Sequence, residues 1–212
     1  MHKTGIAPLG LSVIGTKVMA TLALVGAAAS IAGLGTYATF TSSTPAEAQA
    51  ITSGTVNIAL GADGTSANRL DIGASDIAPG DTIERAVDLS NAGSTIDLGS
   101  LTLDTTASPS SALDTDAANG LQLTIDKCSV AWTESGPPYT YTCGGTTQSV
   151  LASQPVIGSG LALSNLSALT AGQTDHLRVT LSLPTTADNT MQGLASTIDF
   201  VFTGTQRTGT SK

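Results

Sequence analysis

Apolar residues alternate with polar ones in short runs along most of the chain, and the runs are parted by turn residues. Val56, Ile58 and Leu60 are interleaved with Asn57 and Ala59, a period of two that sets three apolar groups on one face of an extended segment. Leu70, Ile72 and Ile77 precede Pro79-Gly80-Asp81, a turn that joins a fixed to a permissive backbone position. Ile83, Arg85, Val87 and Leu89 share one side of the next run, which ends at Asn91-Ala92-Gly93. Ile96, Leu98, Leu101 and Leu103 follow, with the alternation shifting by one residue near Gly99, as at a β-bulge. Leu121, Leu123 and Ile125 form another run. Leu177, Val179, Leu181 and Leu183 form one that stops at Pro184, and Ile198, Phe200 and Phe202 close the series. Short strands without a long amphipathic segment predict an all-β, antiparallel sandwich. Only residues 185–195 leave room for a helical turn or a long connection.

The first forty residues break this pattern. Lys3 and Lys17 give a weakly basic start, and no charge appears from Val18 to Phe40, where Ala, Gly, Leu, Val and Ile dominate. Basic, apolar and small-residue regions in that order read as a secretory signal. A retained membrane anchor is the competing reading, since the uncharged run is long enough to span a bilayer. Its richness in Ala and Gly, and the lack of a basic cluster after it, favour removal. The expected organisation is a signal peptide over residues 1–38, a mobile segment over 39–52, a β-sandwich over 53–207 and a flexible tail over 208–212.

Composition sharpens this picture. Aromatic residues make up 3% of the chain and charged residues 11%, while Thr, Ser, Gly and Ala abound. This suits a β-rich extracellular protein, and the alternation argues against a disordered Ser/Thr-rich stalk. All 16 Asp and Glu lie after Phe40 but only 6 of the 8 Lys and Arg do, so the processed chain carries 6 − 16 = −10. Such a surface repels nucleic acid and anionic lipid, which are therefore not expected partners.

Cys128 and Cys143 stand 15 positions apart around Trp132 and the turn Gly136-Pro137-Pro138. In an exported chain an oxidised pair is the default. A reactive or metal-binding pair is the alternative, but no histidine lies near and the spacing matches no zinc pattern. Trp132, Tyr139 and Tyr141 are expected to pack over the bridge, with an aromatic platform for sugars as the alternative use. Little else carries chemistry. Beyond the leader the single histidine is His176, and the zinc-protease helix, the serine elbow, the phosphate loop and the dinucleotide fingerprint are all missing. Asp114, Asp116 and Asp126 remain candidates for a carboxylate pair. The run Asp114–Gly120 (DTDAANG) has a faint likeness to a calcium loop, out of register and without its distal Glu, and reads as a turn. Asn165-Leu166-Ser167 reads as an ordinary loop triplet. No catalytic, cofactor or metal residue is assigned, and no cofactor is expected.

Several stretches together resemble one family. GLGTYATFTSS (33–43), SGTVNIAL (53–60), IAPGDTIERAVDLSNAGS (77–94) and IDFVFTGTQR (198–207) are similar to the TasA/camelysin (CalY) family of Gram-positive secreted proteins. The Cys128–Cys143 insert suggests an actinobacterial branch. The resemblance implies a jelly-roll sandwich, a leader cut by a SipW-type signal peptidase, and assembly into extracellular biofilm fibres. Camelysin-like members are classed as metalloproteases, yet no zinc-ligand set transfers to this sequence.

The polar segment 39–52, carrying Pro45, has no evident core of its own to bury. An extended segment of this kind can complete an exposed sheet edge of a neighbour. The leading expectation is a non-enzymatic, secreted fibre subunit forming a head-to-tail homo-oligomeric filament at the cell surface, with no membrane attachment after processing. A secreted module binding a matrix polysaccharide and a cryptic metalloprotease are the other two. Thr36 and Ala38 are small residues flanking Tyr37, so cleavage is expected between Ala38 and Thr39. Ala48 and Ala50 satisfy the same small-x-small rule further from the apolar run. N-terminal sequencing of secreted protein should begin at Thr39; a start at Gln49 or Ile51 selects the later sites.

Overall fold

The alternations around residues 83–89, 177–183 and 198–202 become long strands, whereas the one at Val56–Leu60 yields only a two-residue strand. The structure, a computed structural model, describes residues 41–44 and 56–209. The strands are β1 (Thr41–Thr44), β2 (Ala59–Leu60), β3 (Ile72–Ser75), β4 (Thr82–Ser90), β5 (Leu98–Ala107) and β6 (Gln122–Cys128). They continue with β7 (Thr133–Ser135), β8 (Thr140–Thr142), β9 (Thr147–Pro155), β10 (Gly158–Ala162), β11 (Thr174–Ser182) and β12 (Ala195–Gln206). A single helical turn, α1 (Ala112–Thr115), precedes β6, and 3₁₀ turns occupy Ser167–Leu169 and Asn189–Met191. The latter falls in the stretch left open for a turn. None of the described helices is long and apolar enough to cross a membrane.

Two five-stranded antiparallel sheets face each other. One runs β1-β12-β5-β10 with β3 also on β12, and the other runs β2-β4-β11-β6-β9. The chain passes from β3 to β4 to β5 to β6 by changing sheet each time, then returns through β9, β10, β11 and β12. The orders β3-β12-β5-β10 and β4-β11-β6-β9 are those of a jelly roll, in which two Greek keys interleave. The sandwich inferred from periodicity is present, and the jelly-roll order implied by the resemblance comes with it.

Alternation explains the core. In β11 the buried residues Leu177, Val179 and Leu181 alternate with half-buried His176, Arg178 and Thr180. They meet Val87 and Leu89 of β4, Leu123 and Ile125 of β6, and Leu101, Leu103 and Phe202 of the opposite sheet in one continuous cluster. Full burial of each such side chain contributes roughly 1.5–3 kcal/mol. The shift near Gly99 is a bulge: Thr205 pairs with Ser100 and Gln206 with Leu98, which leaves Gly99 as the additional residue.

Three of the polar groups that enter the interior tie neighbouring segments together, whereas the buried Asn91 amide has no hydrogen-bond partner. Thr105 Oγ1 donates to the Val156 carbonyl at 2.6 Å and accepts from Gly158 N at 2.8 Å, tying β5 to the β9–β10 connection. Asp175, at the core register of β11 and 3% exposed, takes Lys127 Nζ at 3.1 Å and the Ala168 N–H at 2.7 Å. That pair fixes the 3₁₀ turn at Ser167–Leu169 to the end of the sandwich.

Asp114 plays a similar part. Ser111 caps α1 while the Asp114 carboxylate accepts from Ser111 N (2.6 Å), Ser110 Oγ (2.7 Å) and Ser196 Oγ (2.6 Å), which links the turn to β12. Burial pushes its pKa up, but these donors outweigh burial and hold it below the ordinary carboxylate value. The fold therefore favours the ionised form. Its contribution is complete above the ordinary value near ~4 and is lost as pH falls through the lowered one. Asp114→Asn should cost about 1–3 kcal/mol at neutral pH. Denaturant titrations between about pH 5 and about pH 2 should show the variant losing less stability on acidification than the native protein.

Candidate functional site

Two places on the sandwich depart from a plain packed sheet. The first is the outer edge of β12. β3 pairs there with residues Ala195–Ile198, and β1 pairs with Phe202–Thr205 in the register Thr41↔Thr205 to Thr44↔Phe202. Between them Asp199, Phe200 and Val201 have no strand partner on this side among the described residues. β1 ends at Thr44. A cavity of about 230 Å³ opens at this break, lined by Leu60, Asn68 and Leu70, by Phe200, and by Asp63, Asp71 and Asp199. Asn68 is itself satisfied, donating to the Gly61 carbonyl at 3.2 Å and accepting from Leu70 N at 3.2 Å.

Thr41–Thr44 falls within the segment expected to be mobile, and in the structure these four residues form a strand on their own sheet. The rest of that segment and the Ala38–Thr39 cleavage site lie outside the described residues.

The second place is the outer face of the β4-β11-β6 sheet. Cys128 and Cys143 form a disulfide, with Cα atoms 5.7 Å apart, that holds the hairpin β7–β8 over this face. Ala86, Cys128, Trp132 and Tyr141 are buried as a small second core, flanked by Tyr139 and Cys143. The aromatic packing over the bridge is as the sequence implied. The hairpin tip needs glycine at Gly136, whose φ is 125° and where a Cβ would collide with the Pro138 carbonyl.

Four of the basic side chains described, Arg69, Arg85, His176 and Arg178, lie beneath or beside this hairpin. Arg69 makes a two-pronged pair with Glu134 at 2.7 and 2.8 Å, and its guanidinium lies 4.4 Å from the Tyr139 ring centre. Tyr141 Oη donates to Glu134 at 2.9 Å. The hydrogen bond from Arg69 pulls the Glu134 pKa down, while burial and the Glu134 acceptor push the Tyr141 hydroxyl up to about 12. Arg178 bridges Glu84 and Asp126 at 3.1 Å each and stacks 4.7 Å from the Trp132 ring. Arg85 keeps the register of Ile83 and Val87, yet its guanidinium stands 5.3 Å from Tyr139. Planar guanidinium groups suit such paired and stacked positions better than lysine would.

His176, the single histidine beyond the leader, is a cross-strand link. Its Nδ1 lies 2.6 Å from Asp88 Oδ1, and its carbonyl accepts the Trp132 indole N–H at 2.9 Å. Trp132 is only 8% exposed and Arg178 stands over its ring, so that ring is closed to a stacking sugar. The candidate carboxylates have separate structural partners. Asp114 holds α1, Asp116 caps the backbone N–H groups of Ala118 and Asn119 at 2.9 Å, and Asp126 pairs with Arg178. Among the described residues no three His, Cys, Asp or Glu side chains are grouped to hold a metal ion. Asn165 takes φ 58°, and its amide donates to the Ser149 carbonyl at 2.8 Å, which makes the triplet a backbone clasp on β9.

Together these features define a jelly-roll domain with a short N-terminal strand on one sheet edge and a disulfide-held hairpin on one face. The model of the family described as camelysin metallo-endopeptidase matches residues 13–134, more than half of the 212-residue chain, and the chain belongs to that family. No curated protein and no solved structure matches it. The match ends inside the hairpin, so β8 to β12 lie beyond it.

The disulfide closes a loop whose entropy in the unfolded chain is worth about 3 kcal/mol at this length. Replacing Cys128 and Cys143 together by Ser should lower unfolding free energy by about that amount while the sandwich still folds, because the main core lies on the other side of the sheet. Thermal or denaturant unfolding measures the loss. Thiol labelling of the untreated native protein should be negligible, and stoichiometric labelling would contradict the bridge.

Proposed function

We propose that the protein is a secreted structural subunit that builds extracellular fibres or matrix by passing its N-terminal strand to a neighbouring copy. The observation that carries this reading is β1 itself. It is four residues long, stands at the beginning of the domain and lies on the outer edge of β12 beside three residues that have no strand partner on that side among the described residues. A strand held by so few ladder bonds is exchanged at low cost, because every bond lost in one copy is remade identically in another. Exchange from copy to copy along one direction does not close, and it generates a filament. The disulfide supports export, since such bonds persist in oxidising compartments.

Proteolysis, the activity in the family's name, finds no support in the described residues, where the histidine is tied to Asp88 and no metal cluster is formed. In this reading the subunit works through its edges and does no chemistry.

Deleting Thr39–Ala50 should abolish fibres in electron micrographs while leaving folded protein by circular dichroism. A synthetic peptide of the same residues, added in excess to the intact mature protein, should occupy the β12 edge and shorten fibres in a dose-dependent way. Fibres from the deleted protein, or indifference to the peptide, would show that assembly uses another edge.

A further inference from the structure

One side of the sandwich stands apart from the rest in its charge. Residues 135–174, 40 in succession, contain no Asp, Glu, Lys, Arg or His, although the chain as a whole has a formal charge of −8. This stretch supplies β9 and β10, the outermost strands of the two sheets on the same side of the jelly roll, and the connection that joins them. The flank presents Thr147, Gln148, Ser149, Ala152 and Ser153 to solvent.

The charges next to it are already engaged. Asp104 accepts from Ser159 Oγ and from Gly160 N, Asp114 is enclosed by serine donors, and Asp126 is paired with Arg178. Copies of an acidic protein repel one another wherever charged surfaces meet, so an uncharged flank is where they approach at least electrostatic cost.

The two large hydrophobic residues exposed among the described positions bracket this flank. Val130 is 46% exposed and Ile157 is 38% exposed. Val130 lies beside the start of β9, its Cγ2 against Gly145, where Ser129 N donates to the Thr146 carbonyl at 2.9 Å. Ile157 follows the end of β9. Gly145 and Ile157 are equally distant in sequence from Leu151, the middle residue of β9 (151 − 145 = 157 − 151). A two-fold axis through the middle of β9 therefore brings the Val130 end of one copy to the Ile157 end of the other, twice over. That is the self-complementary pattern of an isologous contact.

From these observations we infer that the β9–β10 flank is a side-to-side contact between two antiparallel copies of this chain. It is distinct from the β12 edge used for strand exchange and does not depend on it. The contact is made by side chains and not by strand addition. The outer edge of β9 is closed by Ser164, whose N and Oγ both reach the Val150 carbonyl, and by Asn165 on Ser149. β10 carries a bulge between Gly158 and Leu161, an irregularity that disfavours strand addition. A nine-residue strand is about 30 Å long, and two sheets with their side chains are about 20 Å thick, so the flank offers on the order of 600 Å² per copy. This is below the roughly 800 Å² per partner of a standard stable interface, and the pairing of isolated domains is expected to be weak. Along a filament the same contact repeats, and many weak contacts then act as one strong one.

Sedimentation velocity and equilibrium on the mature protein lacking Thr39–Ala50, checked for folding by circular dichroism, isolates this contact from strand exchange. The expected result is a concentration-dependent dimer. Val130→Glu should weaken it on the order of a hundredfold, by burying an unpaired carboxylate at both ends of the interface. Adding Ile157→Lys to that variant should restore the dimer, since each new glutamate then faces a lysine of the other copy, and the restored dimer should dissociate on raising salt. A monomer at all concentrations, a Val130→Glu protein that dimerises unchanged, or a double variant that stays monomeric would each overturn the proposal. If the truncated protein does not fold, the same variants in the intact mature protein should separate laterally bundled fibres from single ones in micrographs, and bundling insensitive to both substitutions would overturn it equally.

Discussion

Burial of aliphatic side chains between the two sheets is the interaction on which the rest of the molecule depends. With only 3% aromatic residues the chain builds its interior from Leu, Ile and Val, each with less area to bury than an aromatic ring. Such a core gains its stability by close packing over many small contributions, and close packing demands a fixed register. The continuous pairing of β4 with β11 and of β11 with β6 supplies that register on one side, and the long β12–β5 ladder supplies it on the other. Thr105, Asp114 and Asp175 enter this interior and meet donors or acceptors that hold the crossing segments in place.

With the core fixed, the outer face of the β4-β11-β6 sheet is free to carry an elaboration. The scarce cations gather there. Arg69, Arg85, Arg178 and His176 each have a carboxylate, a carbonyl or an aromatic face nearby, and all of them serve the disulfide-held hairpin or the strands below it. Half-buried pairs with fixed geometry contribute more than exposed ones, and they give orientation as well as stability. The acidic character of the protein follows from its composition, 16 Asp and Glu against 8 Lys and Arg.

The edges differ in how they are closed. β9 and β10 carry bulges and serine and asparagine clasps, while β12 is covered by two short strands that do not meet among the described residues. Complete closure prevents strand addition, and partial closure by an exchangeable strand invites it. In the proposed function, an edge covered in this way serves a lone subunit and is open to exchange with another copy. A neutral, capped flank suits contact without exchange. Both properties belong to the outline of the sandwich, and neither needs a catalytic group.

The sequence by itself determined the all-β class, the strands whose one face is buried throughout, the bulge at Gly99 and the aromatic packing over the cysteine bridge. These are local consequences of a period of two, of a backbone irregularity and of residue chemistry. β9 and β10 were not legible, because bulges interrupt their alternation and β9 buries two successive residues, Val150 and Leu151, between exposed ones. The family resemblance supplied the jelly-roll order, which no local pattern encodes. Only the tertiary structure decided that Asp88 and His176 share a row across two strands, that Asp114 reaches Ser196 from 82 positions away, and that the Trp132 ring is closed by Arg178. It also decided that Thr41–Thr44 would lie on β12. Each of these depends on segments brought together by the folding of both sheets around one core, and spacing along a single chain carries no trace of which strand becomes whose neighbour.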